Sequence, residues 1–255
     1  MVRLPRRLGH GEEATLAEHL DELRGRIFVM LGAVVLGTIV AYVFHDHILN
    51  WLNHPLPPGK RLVTLGVAEP FTITLTVCAY AGLVAALPIV LWQLWSFFAP
   101  AVEARLERKV LGLVACSVAL GVGGIAFGYE IILPRAIHFL TNYDTGHFHN
   151  LIQAKPYYNF VVAILVGIVV IFQTPLAILG LVAIGVLSSR TLRKHRRLGY
   201  LITAGIALAL PGPDLVTTFS ELLPMWVLFE GSIWLAVLFE RRRRRVTQSS
   251  ATLGT

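Results

Sequence analysis

Four glutamates lie at the ends of long apolar stretches or within them, where ionisable side chains are costly and usually functional. Glu22 precedes the first stretch, Glu107 follows the second, and Glu130 and Glu230 lie within the third and the last. A carboxylate attracts cations and forms charge-assisted hydrogen bonds with them. Glu22 and Glu107 together therefore predict a site for a cation.

A local ion pair is the alternative interpretation for these two glutamates. Arg26 lies four residues after Glu22, which is one helical turn, and Arg105 and Arg108 flank Glu107. Pairs of this kind are common on protein surfaces and contribute little to stability. The residues alone leave both interpretations open, although two such carboxylates at one face of a membrane favour a binding site.

No enzymatic motif accompanies these carboxylates. The chain has no Gly-x-Ser-x-Gly, no His-Glu-x-x-His and no phosphate-binding loop, so we expect it not to be an enzyme. His45, His47 and His54 cluster near Asp46, but such a loop is more typical of polar surface than of a closed metal-ligand set. Both cysteines lie in apolar stretches, where thiols behave as small hydrophobes. We predict no metal, no disulfide and no cofactor.

The elements that must position these residues are apolar helices. The mean hydropathy is +0.67, and 55% of the 255 residues are hydrophobic. A helix needs roughly 20 apolar residues to span a membrane, and the last two stretches are the shortest. The sequence predicts an all-α integral membrane protein with six transmembrane helices: Ile27–Phe44, Phe71–Ala99, Val110–Leu133, Phe160–Leu187, Leu198–Leu210 and Leu222–Phe239.

Basic residues lie in alternate gaps between the stretches. Eighteen of the 22 Lys and Arg residues fall in the N-terminal segment, the second gap, the fourth gap and the tail. The remaining gaps hold only Lys60, Arg61, Arg135 and Lys155. Positive charge is retained on the cytoplasmic side of spans, so both termini are predicted to be cytoplasmic. This topology also explains the net charge of +7 without nucleic acid as a partner.

The distribution of charge predicts three parts. Residues 1–26 form a cytoplasmic amphipathic segment, residues 27–239 the transmembrane domain, and residues 240–255 a basic cytoplasmic tail that we expect to be disordered. Within the spans, Pro88, Pro175 and Pro224 each remove a backbone donor, which predicts kinks. Kinked and short helices indicate a concave wall.

An ordered set of short segments resembles the TatC family, the receptor subunit of the twin-arginine protein translocase. The resemblance extends in order along almost the whole chain, with six predicted spans and both ends inside. The segments are His19–Arg26, His54–Leu56, Glu69–Phe71, Trp95–Pro100, Phe127–Tyr129 followed by Pro134, Pro213–Asp214 and Pro224–Glu230.

The resemblance implies a receptor for the twin-arginine motif in signal peptides of folded cargo. Glu22 and Glu107 match the two recognition carboxylates of the family, and Phe97 matches an aromatic residue lining the same region. His19 and Arg24 belong to the same N-terminal signature and are assigned to this site. The family also implies location in the cytoplasmic membrane, export driven by the proton motive force, partners of the TatA and TatB families, and self-association.

One position departs from the family pattern. Many members have a glutamate in the fourth span just before a proline kink, whereas this chain has Gln173 before Thr174-Pro175. Glutamine cannot carry a proton-linked charge, but it can hydrogen-bond within a membrane. We therefore predict that Gln173, together with Glu230, is a polar docking contact for a partner helix.

A small secondary transporter is the alternative function. Glu230 and Gln173 would then form a polar site at the middle of the membrane. No inverted repeat is visible in the sequence, however, and the carboxylates are concentrated at the cytoplasmic edge. We therefore favour the translocase subunit.

Overall fold

A computed structural model describes residues 16–98, 107–143, 151–209 and 215–252 of the chain. Helices dominate these residues, with two two-residue strands that pair in parallel. In chain order the elements are α1 (Leu16–Val43), α2 (His45–Asn53), β1 (Leu62–Val63), α3 (Glu69–Phe98), α4 (Glu107–Phe127), a π-helical turn (Gly128–Ile132), α5 (Leu133–Asn142), β2 (Ile152–Gln153), α6 (Ala154–Phe172), α7 (Thr174–Ala183), α8 (Ser189–Lys194), α9 (Arg196–Ala209) and α10 (Leu215–Thr252).

Five helical stretches of the described chain are long and apolar enough to cross a membrane. They overlap five of the six predicted stretches. The remaining predicted stretch, Leu198–Leu210, corresponds to α9, which has only 14 residues. At 1.5 Å per residue α9 is roughly 21 Å long, so its crossing of the membrane stays a prediction. The five are Leu20–Val43, Glu69–Leu94, Val114–Asn142, Ala154–Ala183 and Thr217–Arg241.

Apolar side chains are exposed along these helices. Only 6% of the most apolar window of the first stretch is buried inside the chain, and Phe28, Leu36 and Val43 are each more than half exposed. A contiguous apolar surface of this extent is unfavourable in water. It fits helices surrounded by lipid, as expected for a membrane protein with several spans.

Two helices extend beyond their predicted ends. The third stretch was expected to end at Leu133, but α5 continues to Asn142. Pro134 lies in the first turn of α5, directly after the π-helical turn, and the helix continues through it without a break. Likewise, α10 runs to Thr252, so the described part of the tail is helical where disorder was expected. Arginine is a good helix former, and the arginine run therefore prolongs the preceding helix.

The packing divides the chain into two compact units, Met1–Val169 and Val170–Thr255. In the first unit α1 packs closely on α3 where two glycines meet. A Cβ atom on Gly82 would lie 2.3 Å from the backbone nitrogen of Thr38, and one on Gly37 would lie 2.7 Å from the carbonyl oxygen of Gly82. Only glycine allows this approach of the two backbones.

Tyrosines hold α2 at the ends of longer helices in the same unit. Tyr129, in the π-helical turn, stacks on Trp51 with ring centroids 4.0 Å apart and donates a 2.8 Å hydrogen bond to its carbonyl oxygen. Tyr157 donates to the carbonyl oxygen of Leu52 at 2.7 Å. Tyr158 donates to the side chain of Asn53 at 2.8 Å. The last turn of α2 is thus tied to two other helical segments.

The three prolines act differently. Pro88 and Pro224 lie inside the continuous helices α3 and α10, whereas Pro175 lies in the first turn of α7, just after the break that ends α6. At this break the Gln173 carbonyl oxygen accepts hydrogen bonds from two backbone N–H groups of α7. An interruption of the fourth stretch at Pro175 agrees with the predicted kink, and the angles at the other two prolines stay predictions.

The second unit has its core between α7 and α10. Ile178 and Val182 of α7 pack with Phe229, Ile233 and Ala236 of α10. α9 also packs on α10, and a Cβ atom on Gly199 would lie 2.0 Å from the Phe229 ring. The division into 1–26, 27–239 and 240–255 stays a prediction, since α1 and α10 run through both boundaries without interruption.

Candidate functional site

Glu22 lies in the second turn of α1 and pairs with Arg26 one turn further on. The Glu22 Oε1 atom accepts hydrogen bonds from Arg26 Nη2 at 2.5 Å and from Nε at 3.0 Å. Both side chains are 19% exposed, so the pair is largely shielded from water. The local ion pair that the spacing allowed is therefore present.

Arg26 also binds the end of α3. Its Nη2 donates to the carbonyl oxygen of Ser96 at 3.1 Å, and its Nη1 donates to Gln93 Oε1 at 3.3 Å. The last carbonyls of a helix lack intrahelical partners and attract cations, which explains why an arginine binds there. Glu22 is consequently held beside the C-terminal turn of α3 as well as on its own helix.

The structure describes the side chains of some of the other residues assigned to this site and only the backbone of others. Phe97 follows Ser96 in the last turn of α3 and is half-buried. Arg24 lies over the ring of Phe28, 5.7 Å from its centroid. Glu107 begins α4 and His19 lies in α1, but their side chains are outside the described residues. The structure thus brings Glu22 near Ser96 and Phe97, and the position of the second carboxylate stays a prediction.

A second carboxylate cluster lies in the other compact unit, between α9 and α10. Glu230 accepts a hydrogen bond from the Tyr200 hydroxyl, and its Oε2 lies 3.4 Å from Arg196 Nη2. Tyr200 also packs edge-on against Trp226 and Phe229. Because Arg196 opens α9 within the basic fourth gap, Glu230 is linked to a helix end.

Gln173 lies apart from this cluster in the chain, at the break between α6 and α7. Its side chain is half-buried. Its position just before Thr174-Pro175 is as the sequence indicated, and a role in docking a partner helix stays a prediction.

Sequence reasoning missed several polar residues. Gln93 was overlooked inside an apolar stretch, although it is the only amide there. Glu221 was left outside the last stretch because that stretch was taken to begin at Leu222; α10 begins earlier, and Glu221 is 2% exposed. Glu240 accepts hydrogen bonds from the Ser189 backbone N–H at 2.7 Å and from the Ser189 hydroxyl at 2.6 Å. A glutamate at the boundary between an apolar stretch and an arginine run was the available signal for that last contact.

Among the described residues, no group of three His, Cys, Asp or Glu side chains could hold a metal ion. His45 instead lies 2.7 Å from the carbonyl oxygen of Tyr42 and 3.3 Å from Asp46. The carboxylates whose hydrogen bonds are described above, Glu22, Glu230 and Glu240, bind guanidinium, hydroxyl or N–H groups. Their chemistry is the recognition of hydrogen-bond donors, above all arginine.

The fold and these contacts define a multi-pass α-helical membrane protein with carboxylate–arginine contacts at the ends of its helices. The profile of the family described as Sec-independent protein translocase protein (TatC) matches residues 18–224. The chain is 35% identical over 242 residues to TatCd of Bacillus subtilis strain 168, covering 94% of this chain and 99% of that protein. It is 32% identical over 224 residues to TatC of Carboxydothermus hydrogenoformans, covering 87% and 92%. The chain therefore belongs to the TatC family.

Solved structures agree with this assignment. A crystal structure of the twin-arginine translocase receptor TatC in DDM matches with a TM-score of 0.76 at 28% identity, covering 86% of this chain and 99% of that one. The predicted resemblance and helical membrane fold are confirmed. The family supports a core subunit of the twin-arginine translocase over the secondary transporter. Its relatives are components of a translocase, so the role is protein transport.

Proposed function

We propose that this chain is the signal-peptide receptor of a twin-arginine translocase in the cytoplasmic membrane. It would export folded proteins using the proton motive force, together with partners of the TatA and TatB families. The observation that carries the proposal is the Glu22 carboxylate held by Arg26 at the end of α3. This geometry supports a site that is built before its ligand arrives.

The geometry suits the binding of a second guanidinium. A carboxylate offers about four lone-pair sites on its two oxygens, so Glu22 can accept bonds from a peptide arginine while it keeps Arg26. Arg26 is held by Gln93 and Ser96 as well, and these bonds keep it from swinging away with the ligand. Lysine lacks the planar fork, so a twin-lysine peptide would bind more weakly.

The remaining assignments complete the proposed site. Glu107 is the second carboxylate, which grips the neighbouring arginine of the motif. Phe97 offers an aromatic face beside Ser96 at the end of α3. Arg24 and His19 lie on α1, one on either side of Glu22, and are the polar neighbours of the motif. Two carboxylates for two arginines account for a preference for the pair over either residue alone.

The topology that we propose has six spans with both termini in the cytoplasm. It is supported by the eighteen-to-four distribution of Lys and Arg between alternate gaps, and it places Glu22 and Glu107 on the cytoplasmic side. Cargo signal peptides arrive on that side. α9 is the proposed fifth span, and its roughly 21 Å length implies a locally thinned bilayer.

Gln173 and Glu230 are the proposed contacts for a partner helix, and self-association of the chain would add further contacts. Gln173 lies where the helix is interrupted before Pro175, and its side-chain amide is of a type that both donates and accepts hydrogen bonds within a membrane. Glu230 already binds Tyr200 and Arg196. Its contribution to docking would therefore depend on keeping α9 on α10.

Site-specific crosslinking tests the proposal. A photoreactive residue in place of Leu23, next to Glu22, should crosslink to a twin-arginine peptide and much less to a twin-lysine peptide. The matched control is the same residue in place of Phe44, which is 21 positions and therefore about 30 Å further along the chain. Equal crosslinking of both peptides at Leu23 would contradict recognition at this site.

A further inference from the structure

In the second compact unit, exposed basic residues lie on α8, at the start of α9 and on α10 just after Glu240. Among the described residues, none of them lies within ion-pair distance of a carboxylate. Arg196, by contrast, is bound to Glu230 and is not part of this set. We call the set the basic rim: Arg190, Arg193, Lys194, Arg197 and Arg241.

A carboxylate joins α8 to α10 within the basic rim. Glu240 accepts hydrogen bonds from the Ser189 backbone N–H at 2.7 Å and from its hydroxyl at 2.6 Å. Arg190 and Arg241 are the next residues on each side of this tie. Because adjacent Cα atoms are 3.8 Å apart, their two guanidinium groups can reach the same ligand.

An apolar surface adjoins the basic rim on the same helices. On α10, Trp234 and Leu238 are 64% and 54% exposed, and they precede Arg241 by seven and three residues. These separations correspond to roughly 5–10 Å along the helix. On α9, Leu198 and Leu201 are also more than half exposed. Basic side chains directly above exposed apolar ones match the order of headgroup and acyl chains in a phospholipid.

We propose that the basic rim binds the headgroup of an anionic phospholipid, with its acyl chains against the exposed apolar side chains of α9 and α10. The phosphodiester accepts charge-assisted hydrogen bonds from arginine, and the Glu240–Ser189 tie keeps the two arginine-bearing elements at a fixed spacing. The site requires neither twin-arginine recognition nor the proposed orientation of the termini. Its failure would leave the proposed receptor function unaffected.

Native mass spectrometry of the full chain in detergent, titrated with phosphatidylglycerol or phosphatidylcholine, tests the proposal. We expect the wild type to bind phosphatidylglycerol at least 30-fold more tightly than phosphatidylcholine. The double variant Arg190→Gln/Arg241→Gln should lose about 30-fold in affinity for phosphatidylglycerol, because each basic residue near an anionic surface contributes about fivefold. Affinity for phosphatidylcholine should not change.

A matched control removes the same charge elsewhere. Lys60→Gln/Arg61→Gln lowers the net charge by the same two units in the other compact unit, and it should change phosphatidylglycerol affinity less than twofold. An equal loss in both double variants would mean that only net charge matters, and would overturn the site. Retention of the phosphatidylglycerol preference in Arg190→Gln/Arg241→Gln would overturn it as well.

Glu240→Ala separates a built site from general electrostatic attraction. It raises the net positive charge by one but releases α8 from α10, so we expect affinity for phosphatidylglycerol to fall several-fold. An increase would overturn the proposal, because it would show that charge alone attracts the lipid. Inorganic phosphate in large excess should not displace the lipid, and displacement would identify a site for a soluble anion instead.

Discussion

Replacing Glu22 by glutamine is the most direct test of recognition at the end of α3. Glutamine keeps the length and the planar end of the side chain but removes the charge and leaves a single oxygen acceptor. We expect a twin-arginine peptide to bind about 30-fold more weakly to Glu22→Gln. The preference of the variant for the twin-arginine peptide over a twin-lysine peptide should also fall, because the lost contact is specific for guanidinium.

The magnitude follows from the burial of Glu22. Because this side chain is 19% exposed, a contact between it and a peptide arginine lies between a solvated pair worth about 0–1 kcal/mol and a desolvated one whose disruption costs about 2–5 kcal/mol. The lower end of the second range, about 2 kcal/mol, corresponds to roughly 30-fold in affinity. Arg26 keeps its bonds to Gln93 and Ser96 in the variant, so thermal unfolding should change little.

Fluorescence anisotropy of a labelled twin-arginine peptide, with the full chain in lipid nanodiscs, measures the effect. The matched control is Asp21→Asn, which removes one negative charge from the exposed neighbouring position and should leave affinity within about twofold, as for an ordinary surface substitution. If Glu22→Gln binds the peptide as the wild type does, or if both variants lose affinity equally, Glu22 is only a surface ion-pair partner and the recognition site lies elsewhere.

Three further predictions test the packing, the partner contact and the topology. Gly82→Ala should destabilise the protein by about 1–3 kcal/mol in thermal unfolding in detergent, because its Cβ would lie 2.3 Å from a neighbouring backbone nitrogen. The control Gly32→Ala places its Cβ in open space and should not destabilise the protein. Equal unfolding midpoints for the two variants would contradict the close helix contact. Gln173→Ala should weaken copurification of a partner subunit by about 0.6–2 kcal/mol and spare peptide binding; the reverse pattern would remove Gln173 from the docking contact. A reporter fused after Arg197 should read cytoplasmic and one at Lys60 outside, and the opposite readings would invert the topology.

The sequence predicts most of the helices because long apolar stretches need only be counted. It predicts their ends less well, since the ends depend on local contacts. The third stretch was predicted to end at Leu133, yet the helix continues past Pro134 to Asn142. The tail, residues 240–255, was expected to be disordered, whereas its described part continues α10 to Thr252.

Among the contacts of the candidate site, the local ones could be predicted from the sequence and the long-range ones could not. The Glu22–Arg26 pair is separated by four residues, and helical periodicity alone predicts it. The bonds from Arg26 to Gln93 and Ser96 span 67 and 70 residues, and nothing local indicates which polar group of α3 meets α1. The close approach of Gly37 to Gly82 decides that register. The hydrogen bond between Tyr200 and Glu230 spans 30 residues, and the sequence does not indicate this pairing either.

The order in which Arg26 acquires its partners has a consequence for biogenesis. Glu22 is already part of the nascent chain when Arg26 is synthesised, whereas Gln93 and Ser96 follow 67 and 70 residues later. At about 5–20 residues per second, that interval is roughly 3–14 s. During it, Glu22 alone holds the Arg26 guanidinium on α1, before helices associate. The side chain that joins α1 to α3 is thus kept in place by its own helix until α3 arrives.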